Sequence, residues 1–235
     1  MLNQDSLALS LYIANKNYSS WSLRPWILMR ELGIPFEEKT ATFDSDFNWD
    51  AFRKFSPAGK VPCLHDGASV VWDSLAITEY LADRHDGIWP ADPLAKIWAR
   101  CAAAEMHSGF GALRQTCPMH VGLRIKMAEP TAELQRDIAR INELWNEGLD
   151  RFGGPFLAGA TFTAVDAFFA PVVFRTQTYG INLSEKAGAY AQHILSTNAM
   201  RHWETEALKE TWREASHEDA ALAAGQKLAD YRSNN

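Results

Sequence analysis

The sequence predicts an α/β N-terminal domain followed by an all-α C-terminal domain, and three observations support this. Near the N-terminus, an apolar run, a serine-rich turn and an apolar-periodic run follow one another, which is the order strand, turn, helix. Asp66 and Gly67 join two short apolar stretches, a strong hairpin signal. Later in the chain every long segment has helical spacing. The predicted units are an N-terminal domain at 1–85, a linker at 86–93 and a helical domain at 94–235.

The first domain begins with a predicted β-α-β unit. Residues 7–14 form a short apolar run typical of a buried strand, and a helix is expected to begin within residues 20–23. A second strand is predicted at 36–42 and a short helix at 49–55, within a segment rich in aromatic residues. Two strands linked through a helix in this way run parallel, with a right-handed crossover.

The hairpin and a following helix complete the first domain. The two strands of the hairpin are predicted at 63–65 and 69–72, on either side of the Asp-Gly turn. Ser74 is predicted to cap a helix over residues 75–84.

The second domain reads as a set of helices after a connection rich in turn-forming residues. Helices are predicted at 94–114, 131–152, 162–179, 184–196 and 199–214. The segment at 162–179 is unusually apolar and is expected to be the central helix. Thr163 and Asp166 before it have the spacing of a capping box. The polar tail from His217 onward is expected to fray.

Composition excludes several classes of function. A formal net charge of −6 over 235 residues argues against a nucleic-acid partner, and no apolar run is long enough to span a membrane. The cysteines, Cys63, Cys101 and Cys117, form no Cys-x-x-Cys pair, which is typical of reduced thiols in a cytoplasmic protein. The histidines are scattered, so no metal site is expected.

Three features of the first domain could carry chemistry. Serines crowd the start of the first helix, where they could cap it or, with the helix dipole, face an anion. Val61 and Pro62 precede a hairpin arm, and Asp73 and Ser74 precede a helix. Each has an ordinary structural explanation, a trans bend for the first pair and a cap for the second.

Together these features resemble cytosolic glutathione transferases. The matching motifs lie at residues 18–24, 56–62, 73–81 and 162–166, and the resemblance covers almost the whole chain. The first motif looks most like the serine-type, zeta-like bacterial branch, whose turn usually reads Ser-Ser-Cys-Ser. Trp21 stands in the cysteine position, so this turn lacks the thiol of that branch.

The resemblance implies a thioredoxin-like first domain, a helical second domain and glutathione as co-substrate, with no metal. Ser19 aligns with the catalytic hydroxyl of the serine-type branch, and Ser20 is the alternative. The implied role is donation of a hydrogen bond to the glutathione thiolate rather than nucleophilic attack.

The resemblance also implies a glutathione-binding set. Its members are Ser20, Trp21, Lys60, Val61, Pro62, Asp73 and Ser74. A cis peptide at Pro62 would let the Val61 backbone pair with the cysteinyl part of glutathione. Asp73 and Ser74 would hold the γ-glutamyl end, and Lys60 would contact the glycyl carboxylate.

A second-substrate pocket is expected between the domains, against the first long helix of the second domain. Met106, Phe110 and Arg114 recur there at helical spacing and could share one face. Such a stripe is more often part of a core than of a pocket, so both interpretations stay open.

The sequence therefore predicts a cytoplasmic glutathione S-transferase acting on a small electrophilic or hydrophobic substrate. The alternatives are isomerisation of the maleylacetoacetate isomerase type, dehalogenation, peroxide reduction, and a non-catalytic binding or interaction protein of the same fold. A homodimer is implied by the resemblance alone.

Overall fold

The computed structural model describes residues 9–42 and 49–233. Its N-terminal part contains a four-stranded sheet in the order β2-β1-β3-β4. The strands are β1 (Leu9–Ile13), β2 (Phe36–Thr40), β3 (Cys63–Asp66) and β4 (Ser69–Trp72). The first two are parallel, and β3 is antiparallel to both β1 and β4. This confirms the predicted β-α-β unit and hairpin, and the arrangement is thioredoxin-like.

Helix α1 (Ser20–Glu31) begins within the predicted range, and it is followed in this part of the chain by α2 (Trp49–Arg53) and α3 (Ser74–Ala82). The start of the first predicted strand, at residues 7 and 8, and the aromatic segment at 43–48 lie outside the described residues.

The second part of the chain is helical, as predicted. Its described helices are α4 (Pro93–Ser108), α5 (Gly111–Thr116), α6 (Ala132–Phe152), α7 (Ala164–Tyr179), α8 (Glu185–Ser196), α9 (Asn198–Lys209) and α10 (Ala215–Leu222). Helix α7 is the central one, because nearly all its residues are buried and it packs against both α1 and α4. The N-terminal end of α1 is therefore held against the core of the helical part.

Asp166 anchors the start of α7. Its carboxylate accepts the N–H groups of Thr163 and Leu157, each at 3.0 Å, and the Tyr190 hydroxyl at 3.1 Å. The Asp166-to-Thr163 half of the predicted capping box is thus present, and the same carboxylate also fixes the preceding loop. Burial raises the pKa of Asp166 to about 6, although these hydrogen bonds oppose the shift.

The predicted helix at 94–114 is wrong in one respect, because it breaks at Gly109. Phe110 has a left-handed backbone with φ of 57°, and α5 starts one residue later. The Arg114 guanidinium turns back onto the end of α4 and donates to the carbonyls of Met106, Gly109 and His107. These carbonyls lack helical partners at a helix end, so a cation there stabilises the break.

The C-terminal tail is ordered over its described part, which ends at residue 233, and this corrects the expectation that it would fray. It forms α10 and a strand, β6 (Gly225–Asp230), that pairs antiparallel with β5 (Leu123–Met127) to add a small sheet to the helical part. Close packing explains the order: a Cβ on Gly122 would lie 2.4 Å from the Arg232 side chain. Only glycine therefore lets the tail lie so close to the chain before β5.

Candidate active site

Two serines at the start of α1 form a fixed hydrogen-bonded pair. Ser19 is the N-cap residue, and its Oγ lies 2.7 Å from Ser22 Oγ, one helical turn later. Ser22 Oγ also accepts the N–H of Ala14 at 3.2 Å, and Ser22 is fully buried. The Ser19 oxygen is consequently held in place, through Ser22, from the end of β1.

The first turn of α1 also offers backbone donors. The Ser20 N–H is directed to the Tyr18 carbonyl, and the Leu23 N–H to the Ser19 carbonyl. Among the described residues, the N–H groups of Trp21 and Ser22 have no acceptor. Such groups, together with the helix dipole, favour an anion at this point.

A tight loop before β3 presents an extended backbone beside this turn. Gly59 has φ of 59°, and a Cβ on it would lie 2.5 Å from the Trp49 ring, so this position needs glycine. The Val61–Pro62 peptide is cis, as the resemblance implied. Within the described part of the chain, the Val61 backbone has no hydrogen-bond partner. A bound peptide-like ligand could therefore pair with it.

The start of α3 supplies the third element. Asp73 rather than Ser74 is the N-cap, which corrects the prediction, because the Asp73 carboxylate accepts the Leu75 N–H at 2.8 Å. Asp73 has φ of 74° and ψ of 136°, a positive-φ extended conformation that is strained for any residue with a side chain. The Ser74 hydroxyl therefore takes no part in capping α3. It is buried and has no partner among the described residues.

The loop and the α3 terminus meet around a cavity of about 410 Å³. It is lined by Trp21, Ala58, Lys60, Val61, Pro62, Trp72, Asp73 and Ser74. We call it the tripeptide cavity. Six of the seven residues predicted to bind glutathione line it; the seventh, Ser20, faces the neighbouring cavity.

The neighbouring cavity has a volume of about 420 Å³ and lies between the two parts of the chain. It is lined by Tyr18, Ser19, Ser20, Trp21, Phe52, Lys60, Val61, Arg114, Pro118, Met119, Arg175 and His217. We call it the second cavity. Trp21, Lys60 and Val61 line both cavities, so the two are contiguous.

Of the three residues predicted for a second-substrate pocket, the structure brings only Arg114 to the second cavity. Met106 and Phe110 are buried in the hydrophobic core and are absent from the lining. The break at Gly109 explains the difference, because residues on either side of it no longer share one helical face. The structure therefore fits the interpretation of Met106 and Phe110 as core residues and not as pocket residues.

Trp21 forms the wall shared by the two cavities and is 37% exposed. The guanidinium carbons of Arg24 and Arg114 lie 4.2 Å and 4.7 Å from the centre of its ring. The His107 ring meets it edge to face at 5.3 Å. These cation–π and aromatic contacts fix the indole where the zeta-like turn would have a small thiol.

His107 lies behind the start of α3, with Nε2 3.6 Å from the Asp73 carboxylate. Burial lowers the pKa of His107, Asp73 opposes this, and Arg24 and Arg114 lower it further. The lowered pKa favours the neutral form of the ring. Its position beside Asp73 and Trp21 makes it a support for both rather than a free base.

Comparison with known families decides the identity of the chain. The family model described as "Glutathione S-transferase, N-terminal domain" matches residues 18–84. The model described as "Glutathione S-transferase, C-terminal domain" matches residues 128–215. The chain belongs to the glutathione S-transferase family. The zeta-like branch is not distinguished from other branches by these matches.

Individual relatives of this transferase-family chain are distant. A dichloromethane dehalogenase from Methylorubrum extorquens is 41% identical over 61 residues, which is 25% of this chain and 21% of that protein. A probable maleylacetoacetate isomerase from Caenorhabditis elegans is 24% identical over 183 residues, 74% of this chain and 81% of that protein. A glutathione transferase homolog from Burkholderia, solved with bound glutathione, matches with a TM-score of 0.64 at 19% identity, covering 85% of this chain and 98% of the other.

The C-terminal tail of this transferase-family chain reaches the site, which sequence reasoning missed. The Glu218 carboxylate accepts the Tyr18 hydroxyl at 2.5 Å and lies 3.0 Å from His120 Nε2. Arg232 donates to the same carboxylate from both terminal nitrogens. His217 stacks on Tyr18 with ring centres 5.0 Å apart. No local signal could have paired residues some 200 positions apart.

Sequence reasoning also missed Arg175, Met119 and His217 as residues that line the second cavity. Arg175 lies within the apolar segment expected to form the core helix, and a lone charge in such a segment is the one signal that could have been followed.

Within the described residues, no three His, Cys, Asp or Glu side chains converge as metal ligands would. In the same part of the chain, no helix combines the length and apolar character needed to cross a membrane. Cys63, Cys101 and Cys117 are free thiols.

Proposed function

We propose that this protein is a glutathione transferase that activates the thiol of glutathione at the start of α1 for attack on a small electrophile. One observation carries the proposal. The start of α1, the cis-proline loop and the start of α3 are distant in sequence, yet they line two contiguous cavities with polar groups that lack partners in the described chain. An extended peptide-like anion would satisfy these groups together.

In the proposed complex, the contacts of the two charged ends of glutathione determine its position. The buried Ser74 hydroxyl at the start of α3 suits the γ-glutamyl carboxylate, and the exposed Asp73 carboxylate suits the neighbouring ammonium. The Val61 backbone pairs with the cysteinyl residue, and the exposed Lys60 reaches the glycyl carboxylate. This placement aims the cysteinyl sulfur at the first turn of α1.

Ser19 is the proposed catalytic hydroxyl. In the structure the Ser19 hydroxyl donates to Ser22 Oγ, which also accepts the Ala14 N–H. In the proposed complex the Ser19 hydroxyl turns its proton to the sulfur, and the Ser22 hydroxyl donates to Ser19 Oγ instead. Ser20 lines the same cavity and remains the alternative. In either case the hydroxyl stabilises the thiolate and forms no covalent bond.

Ionisation of the glutathione thiol alone accounts for little of the expected rate enhancement. A thiol with a pKa of about 8.5 is roughly 3% ionised at pH 7, and lowering the pKa by about two units raises the thiolate roughly 25-fold. Intrinsic nucleophilicity falls by roughly 6- to 10-fold over the same range. The net gain is a few-fold, so positioning of the sulfur against the second substrate must contribute more.

The proposal is tested by calorimetry with glutathione and by an activity screen. We expect binding at millimolar glutathione or tighter, and conjugation of at least one member of a panel of aryl halides, haloacids, hydroperoxides and maleyl compounds. The dehalogenase and isomerase relatives are the reason to include haloacids and maleyl compounds. No heat of binding at millimolar glutathione would instead support a non-catalytic interaction protein.

A homodimer is part of the proposal. The exposed apolar side chains Leu94 and Ile97 lie on the outer face of α4, and a second copy could cover them. A cytoplasmic location remains an expectation from the sequence.

A further inference from the structure

The second cavity has a strongly cationic wall. Lys60, Arg114 and Arg175 line it together with His217, and among its described lining residues there is no Asp or Glu. The glycyl carboxylate of glutathione is assigned to Lys60, which leaves Arg114 and Arg175 without an assigned anion. A site for purely apolar electrophiles does not need these two cations, and placing them together costs free energy unless an anion is nearby.

Arg175 is the most deeply placed of these cations. It lies on α7 and is 3% exposed. Its Nε donates to the Cys117 carbonyl at 2.8 Å, whereas Nη1 is buried with no acceptor in the described chain. A buried guanidinium with an unused donor is costly, so a ligand that brings an acceptor would be strongly favoured.

Arg114 faces the same cavity and is bound only to neutral acceptors. Its hydrogen bonds go to the carbonyls of Met106, Gly109 and His107 at the end of α4. They fix the guanidinium in position but leave its charge uncompensated, apart from the influence of Asp137. The guanidinium is thus rigid before any ligand binds.

Two carboxylates that bind residues of the cavity lining are already engaged by other partners. Glu214 binds His217 and Ser216. Glu218 binds Tyr18, His120 and Arg232 on the side of the tail. Neither is left to neutralise Arg114 or Arg175.

A third arginine adds to the excess of positive charge. Arg24 is buried behind Trp21, and none of its three guanidinium nitrogens has an acceptor among the described residues. Burial lowers the pKa of Arg24, and Arg114 and Arg175 lower it further, whereas Asp73 opposes them. All three arginines therefore contribute to the positive electrostatic potential in the second cavity.

We propose that the second substrate is an electrophile that carries a carboxylate, held by Arg114 and Arg175. This inference rests on the proposed function. The two arginines line the cavity of Ser19 and are absent from the lining of the tripeptide cavity, where Asp73 and Ser74 are assigned to the γ-glutamyl end of glutathione. Lys60, assigned to the glycyl end, lines both cavities. The carboxylate orients the electrophilic carbon toward the sulfur.

A matched pair of aryl chlorides tests the proposal, namely 4-chloro-3-nitrobenzoate and its neutral amide, 4-chloro-3-nitrobenzamide. In both, the thiolate attacks the carbon that bears chlorine, a C–S bond forms, and chloride leaves with the bonding electron pair. The thiol proton goes to solvent. After correction for the uncatalysed rates, we expect kcat/KM to be roughly 10- to 100-fold higher for the acid, the range of a charge-assisted hydrogen bond.

Variants of Arg114 and Arg175 test whether these two residues cause the preference for the acid. Arg114→Gln should reduce the preference for the acid at least about fivefold, with little change in the affinity for glutathione, and Arg175→Lys should reduce it while keeping the charge. Arg124→Gln is the matched control, because Arg124 is also half-buried and bound to backbone carbonyls, but it lies outside the cavity lining. It should retain the full preference.

Equal or lower kcat/KM for the acid would overturn the proposal, as would a preference unchanged in both variants. A loss confined to glutathione affinity would assign the arginines to glutathione instead and would also overturn it. If neither chloride is turned over, the proposed function is in question, and titration of the protein with acid and amide decides the anion site separately. Tenfold tighter binding of the acid supports it, and equal binding contradicts it.

Discussion

At the scale of single residues, the candidate site depends on a few side chains whose partners are fixed by the backbone around them. Ser22 accepts the Ala14 N–H at the end of β1 and also accepts the Ser19 hydroxyl, so the Ser19 oxygen is positioned before any ligand arrives. Ser74 differs, because Asp73 performs the capping and leaves the Ser74 hydroxyl without a described partner.

Replacement of Ser19 tests its assigned role. We expect Ser19→Ala to lower kcat/KM for aryl halides at least about tenfold, because both the thiolate and the position of the sulfur are lost, with little change in glutathione affinity. Ser20→Ala should keep most activity, and Ser196→Ala, at a serine outside the lining of both cavities, should keep all of it. An inactive Ser20→Ala beside an active Ser19→Ala would move the role to Ser20.

Gly59 offers a second test, with Gly33 as its control. Both have positive φ, 59° and 65°, so alanine at either should cost about 1–2 kcal/mol of stability. A Cβ at Gly59 would also collide with Trp49, whereas at Gly33 it meets nothing within 4 Å. We therefore expect only Gly59→Ala to displace the cis-proline loop and weaken glutathione binding in calorimetry. Equal affinities of the two variants would show that the loop does not set the tripeptide cavity.

At the scale of elements, the tail stands out, because α10 and β6 are tied to the site through Glu218. Although burial raises the pKa of Glu218, hydrogen bonds from His120, Arg232 and Tyr18 outweigh it and hold the pKa well below the ordinary value of 4.5. A depressed pKa means that the native state favours the carboxylate. The contact therefore stabilises the fold above about pH 4.5 and is lost as the pH falls toward the folded-state pKa.

Glu218→Gln should lower stability at pH 7 by about 2 kcal/mol, since it removes charged hydrogen bonds, and the difference from the unmodified protein should shrink below pH 4.5. Denaturant unfolding at pH 7 and pH 3.5 measures both. Glu129→Gln, at an exposed carboxylate, should leave both values unchanged. A stability difference for Glu218→Gln that is the same at the two pH values would mean that the charge of Glu218 plays no part.

At the scale of the whole molecule, local sequence patterns predicted the elements of the first domain. They did not predict the contacts between the N-terminal part and the helical part. The serine turn, Val61-Pro62 and Asp73-Ser74 are short motifs at the ends of local elements, so their positions beside the two cavities could be predicted. The contact of Tyr18 with Glu218 and the approach of Arg175 to Arg114 depend on long-range packing. The left-handed Phe110 lies between Gly109 and Gly111, and these two glycines within a helical segment were the local signal for a bend.

The proposed dimer is also tested at this scale. Light scattering should give about 53 kDa, twice the 26.3 kDa chain mass. Ile97→Glu should shift the mass toward 26.3 kDa by placing a charge in the apolar contact. Leu228→Glu is the control, because Leu228 on β6 is 62% exposed and Ile97 is 63% exposed. A mass of 26.3 kDa for the unmodified protein would contradict the dimer.

The central claim is that this site lowers the pKa of the bound glutathione thiol, and the ultraviolet absorbance of the thiolate, followed against pH in the protein–glutathione complex, measures it directly. We expect a pKa about two units below the free-thiol value of about 8.5 in the unmodified protein. In Ser19→Ala it should return close to that value. A complex that titrates at about 8.5 or above, or a Ser19→Ala complex that titrates like the unmodified one, would contradict the account.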